Sequence, residues 1–257
     1  MKATRFDALD ALRGLAMVWM TLFHFSFDLN QLGWMAQDFY RDPFWTWQRV
    51  AIVSLFLFCA GFGQAVASAQ GQSWQRFWKR WAQVAGCALL VTAGSWLMFP
   101  NSFIYFGILH GMALMLIVLR LTAHWGRWLW LLGALAIASK FIAAHALSIW
   151  ASGQFVDILN SPVLNWLGWI TKKPITEDYA PLFPWLGVMW WGAAAGGWLL
   201  NPANRTPGGR VGLILSRSLP KTGHGLAVLG RWSLSYYMLH QPVLIGVLTG
   251  LAWLRAL

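Results

Sequence analysis

Near its start the chain reads Arg5-Phe-Asp-Ala-Leu-Asp-Ala-Leu-Arg13-Gly-Leu-Ala-Met-Val-Trp-Met-Thr-Leu-Phe-His24-Phe-Ser-Phe-Asp28, in which Arg13 and His24 enclose an apolar run. If this run is helical, the side chains of Arg13 and His24 are about three turns apart, so both lie on one face, separated by about 16 Å along the axis. This distance is about half the hydrocarbon thickness of a bilayer. Because ionisable side chains inside a membrane are costly, we expect His24 and the nearby Asp28 to form a functional site.

The composition is that of a polytopic membrane protein. Of the 257 residues, 58% are hydrophobic and only 11% are charged, which is too apolar for an ordinary soluble domain. The net charge of +11 does not indicate nucleic-acid binding, because the basic residues lie in short breaks between apolar runs. The 20 tryptophans are typical of aromatic belts at the two membrane surfaces. We therefore predict an integral membrane protein that is surrounded by the lipid bilayer and has no nucleic-acid partner.

Seven apolar runs are long enough to cross a bilayer. They predict an all-α bundle of about seven transmembrane helices, in a single domain over residues 1–257. The breaks on the N-terminal side of the membrane carry 13 Lys and Arg residues against six on the other side, so the positive-inside rule places the N-terminus in the cytoplasm. The predicted spans cover residues 12–31, 47–69, 82–99, 103–121, 128–147, 181–200 and 229–254.

Three histidines fall inside these predicted spans. His24 stands one helical turn before Asp28, so the carboxylate can orient the imidazole and raise its basicity, as a general base requires. His110 is predicted about 10 Å from the outer end of its span, and His240 about 13 Å from the inner end of the last span. These depths favour one polar pocket near the membrane centre. The alternative is that each histidine only joins two helices by a hydrogen bond.

We expect no metal at these histidines, because no pair of them has the spacing of a known ligand motif. Arg13 has two interpretations. It can anchor the cytoplasmic surface and pair with Asp10, three residues earlier. It can also bind phosphate through paired hydrogen bonds, with the rest of an elongated thioester donor extending along the helix toward His24. Arg231, at the inner end of the last span, would enlarge this basic surface.

Four segments of the chain resemble a known group of membrane acyltransferases. The spacing of Arg13 and His24 is similar to the Arg-x10-His motif of the acyltransferase-3 group. The four segments in order resemble the bacterial branch of the heparan-α-glucosaminide N-acetyltransferase catalytic-domain family. They are Leu9-Asp-Ala-Leu-Arg-Gly, Arg49-Val-Ala-Ile-Val-Ser-Leu-Phe-Leu-Phe-Cys-Ala-Gly61, Phe103-Ile-Tyr-Phe-Gly-Ile-Leu-His110-Gly and Ser233-Leu-Ser-Tyr-Tyr-Met-Leu-His240-Gln-Pro.

The resemblance implies an acyl-CoA-dependent transmembrane acyltransferase of the bacterial inner membrane. The sequence leaves the oligomeric state open, with a homodimer as one alternative. Such an enzyme passes an acyl group, commonly acetyl, from cytoplasmic acetyl-CoA to an amine or hydroxyl of a glycan or amino-sugar acceptor on the far side of the membrane. We assign catalysis to His24, Asp28 and His110, with His24 as base or as transient acyl carrier. The donor-binding candidates are Arg13, Arg49, Arg231 and His240.

Two features depart from the family. Its members usually have ten or more spans, and the lysosomal branch has a catalytic histidine in the loop after the first span, where residues 32–48 contain none. The base is therefore either His24 or His110. Two other classes also fit buried histidines: a small transporter or proton-relay bundle, and a haem protein with two histidine axial ligands.

Overall fold

The computed structural model describes residues 6–150, 153–201 and 221–256. These ranges are helical and contain no strand, so the predicted all-α class is confirmed. Short 3-10 turns follow α4 at Ala123–Trp125 and precede α7 at Asn165–Leu167. The helices are α1 (Asp7–Gln31), α2 (Pro43–Ala69), α3 (Trp74–Met98), α4 (Ile108–Thr122), α5 (Trp128–Trp150), α6 (Gly153–Asn160), α7 (Leu182–Leu200), α8 (Lys221–Arg231) and α9 (Ser233–Arg255).

Five helices in the described ranges are long and apolar enough to cross a membrane: α2, α3, α4 with its 3-10 turn, α5 and α9. The chain is therefore an integral membrane protein. Helices α1 and α7, with 25 and 19 residues, have the length of a span. The count of seven spans stays a prediction.

Helix α4 begins later than its apolar run suggested. The predicted span starts five residues before Ile108, where the helix begins, because contacts with α3 hold the preceding backbone in a non-helical path. Thr92 Oγ1 donates to the Ile104 carbonyl oxygen at 2.7 Å, and Ser95 Oγ accepts from the Ile104 N–H at 2.9 Å. His110 is therefore in the first turn of α4, and the predicted depth of about 10 Å within its helix is wrong.

The last predicted span, 229–254, contains parts of two helices. Helix α8 ends at Arg231 and α9 begins at Ser233, with Trp232 between them outside helical geometry. Both helices pack on α1, which requires the chain to change direction between them. His240 consequently lies two turns into α9, about 10 Å from its start.

The chain divides into two compact units, and the division falls within α2 between Phe56 and Leu57. The described part of the first unit contains α1, the first half of α2, α8 and α9. The prediction of one domain over residues 1–257 stays a prediction. The core of this unit gathers large apolar side chains of α1, of the loop after it and of α2: Met17, Met20, Phe23, Phe39, Trp45 and Ile52.

The second unit contains the rest of α2 and helices α3 to α7 in its described part. Small residues of α7 allow close packing, as is common between membrane helices. A Cβ atom at Gly192 would collide with the Phe58 carbonyl of α2, and one at Gly187 with the Gly133 carbonyl of α5. Indole N–H groups add hydrogen bonds between helices, such as the one from Trp190 Nε1 to Thr122 Oγ1 at 2.9 Å.

Candidate active site

One face of α1 carries the candidate site. Positions three or four residues apart on a helix share a face, and on α1 this face combines small, polar and charged side chains. Arg13 lies at the edge of the same face, within about 20° of His24 around the helix axis. The residues of this face are Asp10, Gly14, Met17, Thr21, His24 and Asp28.

Helices α1 and α8 approach each other most closely at two glycines. The Gly14 backbone lies against the Leu226 carbonyl, and the Gly230 backbone lies against the Asp10 carbonyl. A Cβ atom at either glycine would overlap these backbone atoms. The absence of a side chain at both positions therefore allows the close crossing that brings α1 beside α8.

The imidazoles of His24 on α1 and His240 on α9 meet. Their ring centroids are 5.3 Å apart with an angle of 61° between the ring planes, which is an edge-to-face contact. His24 also contacts the ring of Phe23, with centroids 5.8 Å apart. His240 is only 9% exposed. The structure thus brings together one predicted catalytic histidine and a histidine that was predicted to bind the donor.

Two neighbouring residues hold the His240 ring in place. Its Nδ1 lies 2.7 Å from the Tyr237 carbonyl oxygen, one turn earlier in α9. The Tyr236 ring stacks on it at 6.1 Å with only 8° between the planes. The Tyr236 hydroxyl in turn lies 2.7 Å from Thr21 Oγ1 on α1. Since Thr21 donates its own proton to the Met17 carbonyl, the tyrosine is the donor in this pair.

Asp28 is buried, at 8% exposure, and its partner differs from the predicted one. Both carboxylate oxygens accept from Gln241 Nε2 on α9, at 2.9 and 3.1 Å. The expected hydrogen bond to His24, one turn earlier on α1, is absent from the contacts of the described residues. The reason is that His24 turns toward His240, whereas the amide of the next residue on α9 reaches the carboxylate.

At the other end of this face, four charged side chains form an ionic cluster. Arg13 pairs with Asp10 at 3.0 Å, as one of its two predicted interpretations required. Arg231 at the end of α8 pairs with Asp7 at 2.7 Å, and its Nε lies 3.8 Å from Asp10. Two of the predicted donor-binding arginines are therefore joined through the Asp10 carboxylate. The other, Arg49, lies partly buried on α2, and no ion pair of the described residues joins it to this cluster.

His110 belongs to the second unit, where hydrogen bonds engage both nitrogens of its ring. Nδ1 accepts from the Gly107 N–H at 3.3 Å, and Nε2 lies 3.0 Å from Thr92 Oγ1. Thr92 donates its proton to the Ile104 carbonyl, so Nε2 must be the donor in the second bond. A ring with this tautomer has no lone pair left for a substrate. These contacts favour a role in holding the start of α4.

We therefore expect replacement of His110 to affect stability more than catalysis. His110→Ala removes a side-chain cap of the α4 N-terminus, which is typically worth about 0.5–2 kcal/mol of folding free energy. Thermal unfolding should occur at lower temperature, while turnover below the unfolding range stays within about tenfold of the wild-type value. A variant with unchanged unfolding but turnover lowered by about 100-fold or more would return His110 to catalysis, because general acid–base catalysis contributes at least that much.

Sequence reasoning missed Gln241, Tyr236 and Thr21 as members of the site. Gln241 is the partner of Asp28, and Tyr236 fixes both His240 and Thr21. A signal for the glutamine was present, since an amide beside a histidine and Pro242 in an apolar helix is unusual. Its pairing with a residue 213 positions away could not be deduced from local spacing.

Comparison with known protein families gives a match that covers most of the chain. Residues 5–242 match the family model described as Heparan-alpha-glucosaminide N-acetyltransferase, catalytic. This range includes both members of the imidazole pair and the whole of the ionic cluster. No curated protein and no solved structure matches the chain.

Proposed function

Because the chain belongs to the heparan-alpha-glucosaminide N-acetyltransferase catalytic family, we propose that this membrane acetyltransferase takes its acetyl group from cytoplasmic acetyl-CoA. The acceptor is an amine or hydroxyl of a glycan or amino sugar on the far side of the membrane. This topology requires the N-terminus, and with it the ionic cluster around Asp10, to face the cytoplasm. The protein would lie in a bacterial inner membrane.

The observation that supports this function most directly is the contact between the half-buried His24 and the buried His240, because His24 lies on the same face of α1 as the ionic cluster. Acyl transfer needs a group that takes a proton from the acceptor and a group that stabilises charge on the carbonyl oxygen. Two adjacent imidazoles can divide these tasks. Arg13 lies about 16 Å from His24 along the helix, which suits an elongated donor with phosphates at one end and a thioester at the other.

The assay uses purified full-length protein in liposomes, labelled acetyl-CoA, and a panel of amino sugars and glycans. We expect labelled product with at least one acceptor. The matched control is the double variant His24→Asn/His240→Asn, which should form no product above background. Retention of all label on acetyl-CoA across the panel, in protein that is folded and inserted, would contradict the proposal and favour a transporter. An absorption spectrum of the same sample tests the haem alternative, which requires a Soret band.

Arg13→Ala should raise the KM for acetyl-CoA by about 10- to 100-fold, with a smaller effect on kcat. The reason is that a hydrogen bond to a charged group contributes about 1.5–3 kcal/mol, and 1.4 kcal/mol corresponds to a factor of ten in binding. Arg13→Lys keeps the charge but loses paired hydrogen bonds, so its KM should be intermediate. Arg76→Ala, at an exposed position near the start of α3, is the control. An unchanged KM in Arg13→Ala would exclude donor binding at this residue.

A further inference from the structure

The polar cluster between α1 and α9 contains two buried acceptor atoms without a partner, His240 Nε2 and Gln241 Oε1. Within the described ranges, no protein group donates a hydrogen bond to either atom. Leaving such an atom unsatisfied costs about 1–3 kcal/mol. We propose that these two atoms form the subsite for the nucleophilic group of the acceptor, and that His240 Nε2 takes its proton. This proposal rests on the proposed function and identifies the base within it.

The tautomer of His240 follows from its contacts. Nδ1 lies 2.7 Å from the Tyr237 carbonyl oxygen, which can only accept a hydrogen bond, so Nδ1 carries the proton. In the neutral ring the lone pair is then on Nε2. The Tyr236 ring lies parallel to the imidazole beside it. A ring held through one nitrogen, with a lone pair presented on the other, is the arrangement that a general base requires.

Gln241 adds a second acceptor. Its Nε2 donates to both oxygens of Asp28, and this contact fixes which end of the amide is which. The carbonyl end, Oε1, is therefore the unpaired atom. Since both unpaired atoms accept hydrogen bonds, the chemistry of their ligand is defined: it must present N–H or O–H groups. An amine or a hydroxyl nucleophile fits this requirement, whereas a thioester carbonyl does not.

His24 lacks the same support. Among the described residues, Phe23 and His240 provide ring contacts to it, but no hydrogen bond orients its ring. We therefore assign the base to His240 and not to His24. His24, edge-to-face with His240, is then the imidazole that faces the other reactant and can donate to the thioester carbonyl oxygen as charge develops there.

Acetyl transfer forms one bond to the carbonyl carbon and breaks another. The acceptor nitrogen or oxygen bonds to the carbonyl carbon, and the carbon–sulfur bond breaks, so that coenzyme A leaves as a thiolate with the electron pair. The proton of the acceptor moves to His240 Nε2. It is then passed to the thiolate, which restores the neutral ring and releases the free thiol.

The main test is His240→Asn in the full-length protein, assayed with acetyl-CoA and glucosamine. The Asn amide can replace Nδ1–H at the Tyr237 carbonyl but has no atom at the position of Nε2. We expect kcat to fall by about 100-fold or more, with the KM for acetyl-CoA within about threefold of the wild-type value. His224→Asn, at an exposed position on α8 in the same unit, is the control and should keep wild-type kcat.

Two further measurements separate a base from a merely structural residue. His240→Ala leaves a ring-sized space, so added imidazole should restore activity by at least about tenfold in a saturable way, but should not restore His240→Asn. Nitrogen-15 spectra of histidine-labelled protein test the tautomer without any need for turnover. The signals that disappear in His240→Asn should be those of a neutral ring protonated on Nδ1.

The outcomes distinguish the two proposals. A wild-type protein that transfers no label to any acceptor refutes the proposed function. Wild-type transfer together with a His240→Asn variant within tenfold of wild-type kcat refutes the assignment of His240 and leaves the proposed function standing. A His240 ring protonated on Nε2 also refutes the assignment, whatever the activity, because it has no lone pair for the acceptor.

Discussion

Replacement of His24 by Asn is expected to lower turnover by about 10²- to 10³-fold, the loss that follows removal of one hydrogen-bond donor to a developing oxyanion. If His24 instead takes the proton of the acceptor, as the sequence alone allowed, the loss is about 10²- to 10⁴-fold. Either task needs an imidazole at the contact with His240, where the ring centroids are 5.3 Å apart. The measurement is label transfer from acetyl-CoA at saturating acceptor, with unfolding temperature recorded in parallel.

The control for this variant is His145→Asn, an exposed histidine on α5. It should keep wild-type turnover and unfolding temperature. A His24→Asn protein with turnover within tenfold of wild type would remove His24 from the mechanism. An equal loss in both variants would indicate that the assay responds to something other than the imidazole pair.

Gly230→Ala is expected to be the most damaging packing change in the first unit. The new methyl group would overlap the Asp10 carbonyl, so α1 and α8 must separate. Overpacking of this kind typically costs about 1–3 kcal/mol of folding free energy. Because the same crossing holds α1 beside α8 and α9, we expect turnover to fall together with unfolding temperature. Gly14→Ala, which meets the Leu226 carbonyl, should have a similar effect.

Gly225→Ala provides a matched control on the same helix. A Cβ atom at this exposed position of α8 has no heavy atom within 4 Å. Alanine in a helix interior is favoured over glycine by about 0.5–1 kcal/mol, so this variant should be as stable as the wild type or slightly more so. If Gly230→Ala unfolds at the same temperature as Gly225→Ala, close helix contact does not control the site.

Most of the fold could be predicted from the sequence, because a long apolar run in a membrane has few alternatives to a helix. The ends of the helices were less predictable. Helix α4 begins at Ile108 only because Thr92 and Ser95 on α3 bind the backbone of Ile104. Hydrogen bonds of this kind cannot be deduced from the pattern of apolar residues. Because of them, His110 lies in the first turn of a helix and not in the predicted middle of a span.

One part of the candidate site was predicted correctly from the sequence and another part was not. The helical repeat correctly indicated one face of α1 for His24 and for the ionic pair of Arg13 with Asp10, since positions on one helix depend only on its geometry. The same local reasoning paired Asp28 with His24, and this was wrong. Asp28 and His24 each have their partner on α9, more than 200 positions later in the chain. The nearest polar residue along the helix is therefore not the nearest one in space.

By itself, the sequence determined that this chain is a helical membrane protein, which family it resembles, and which residues of α1 share a face. These properties depend on composition and on the regular rise and turn of a helix. Only the tertiary structure decided that His240 meets His24, that Gln241 holds Asp28, and that Arg231 joins the ionic cluster. The physical reason is that Gly14 and Gly230 let the backbones of α1 and α8 come into direct contact. Helix α9 begins directly after α8 and is thereby placed beside α1.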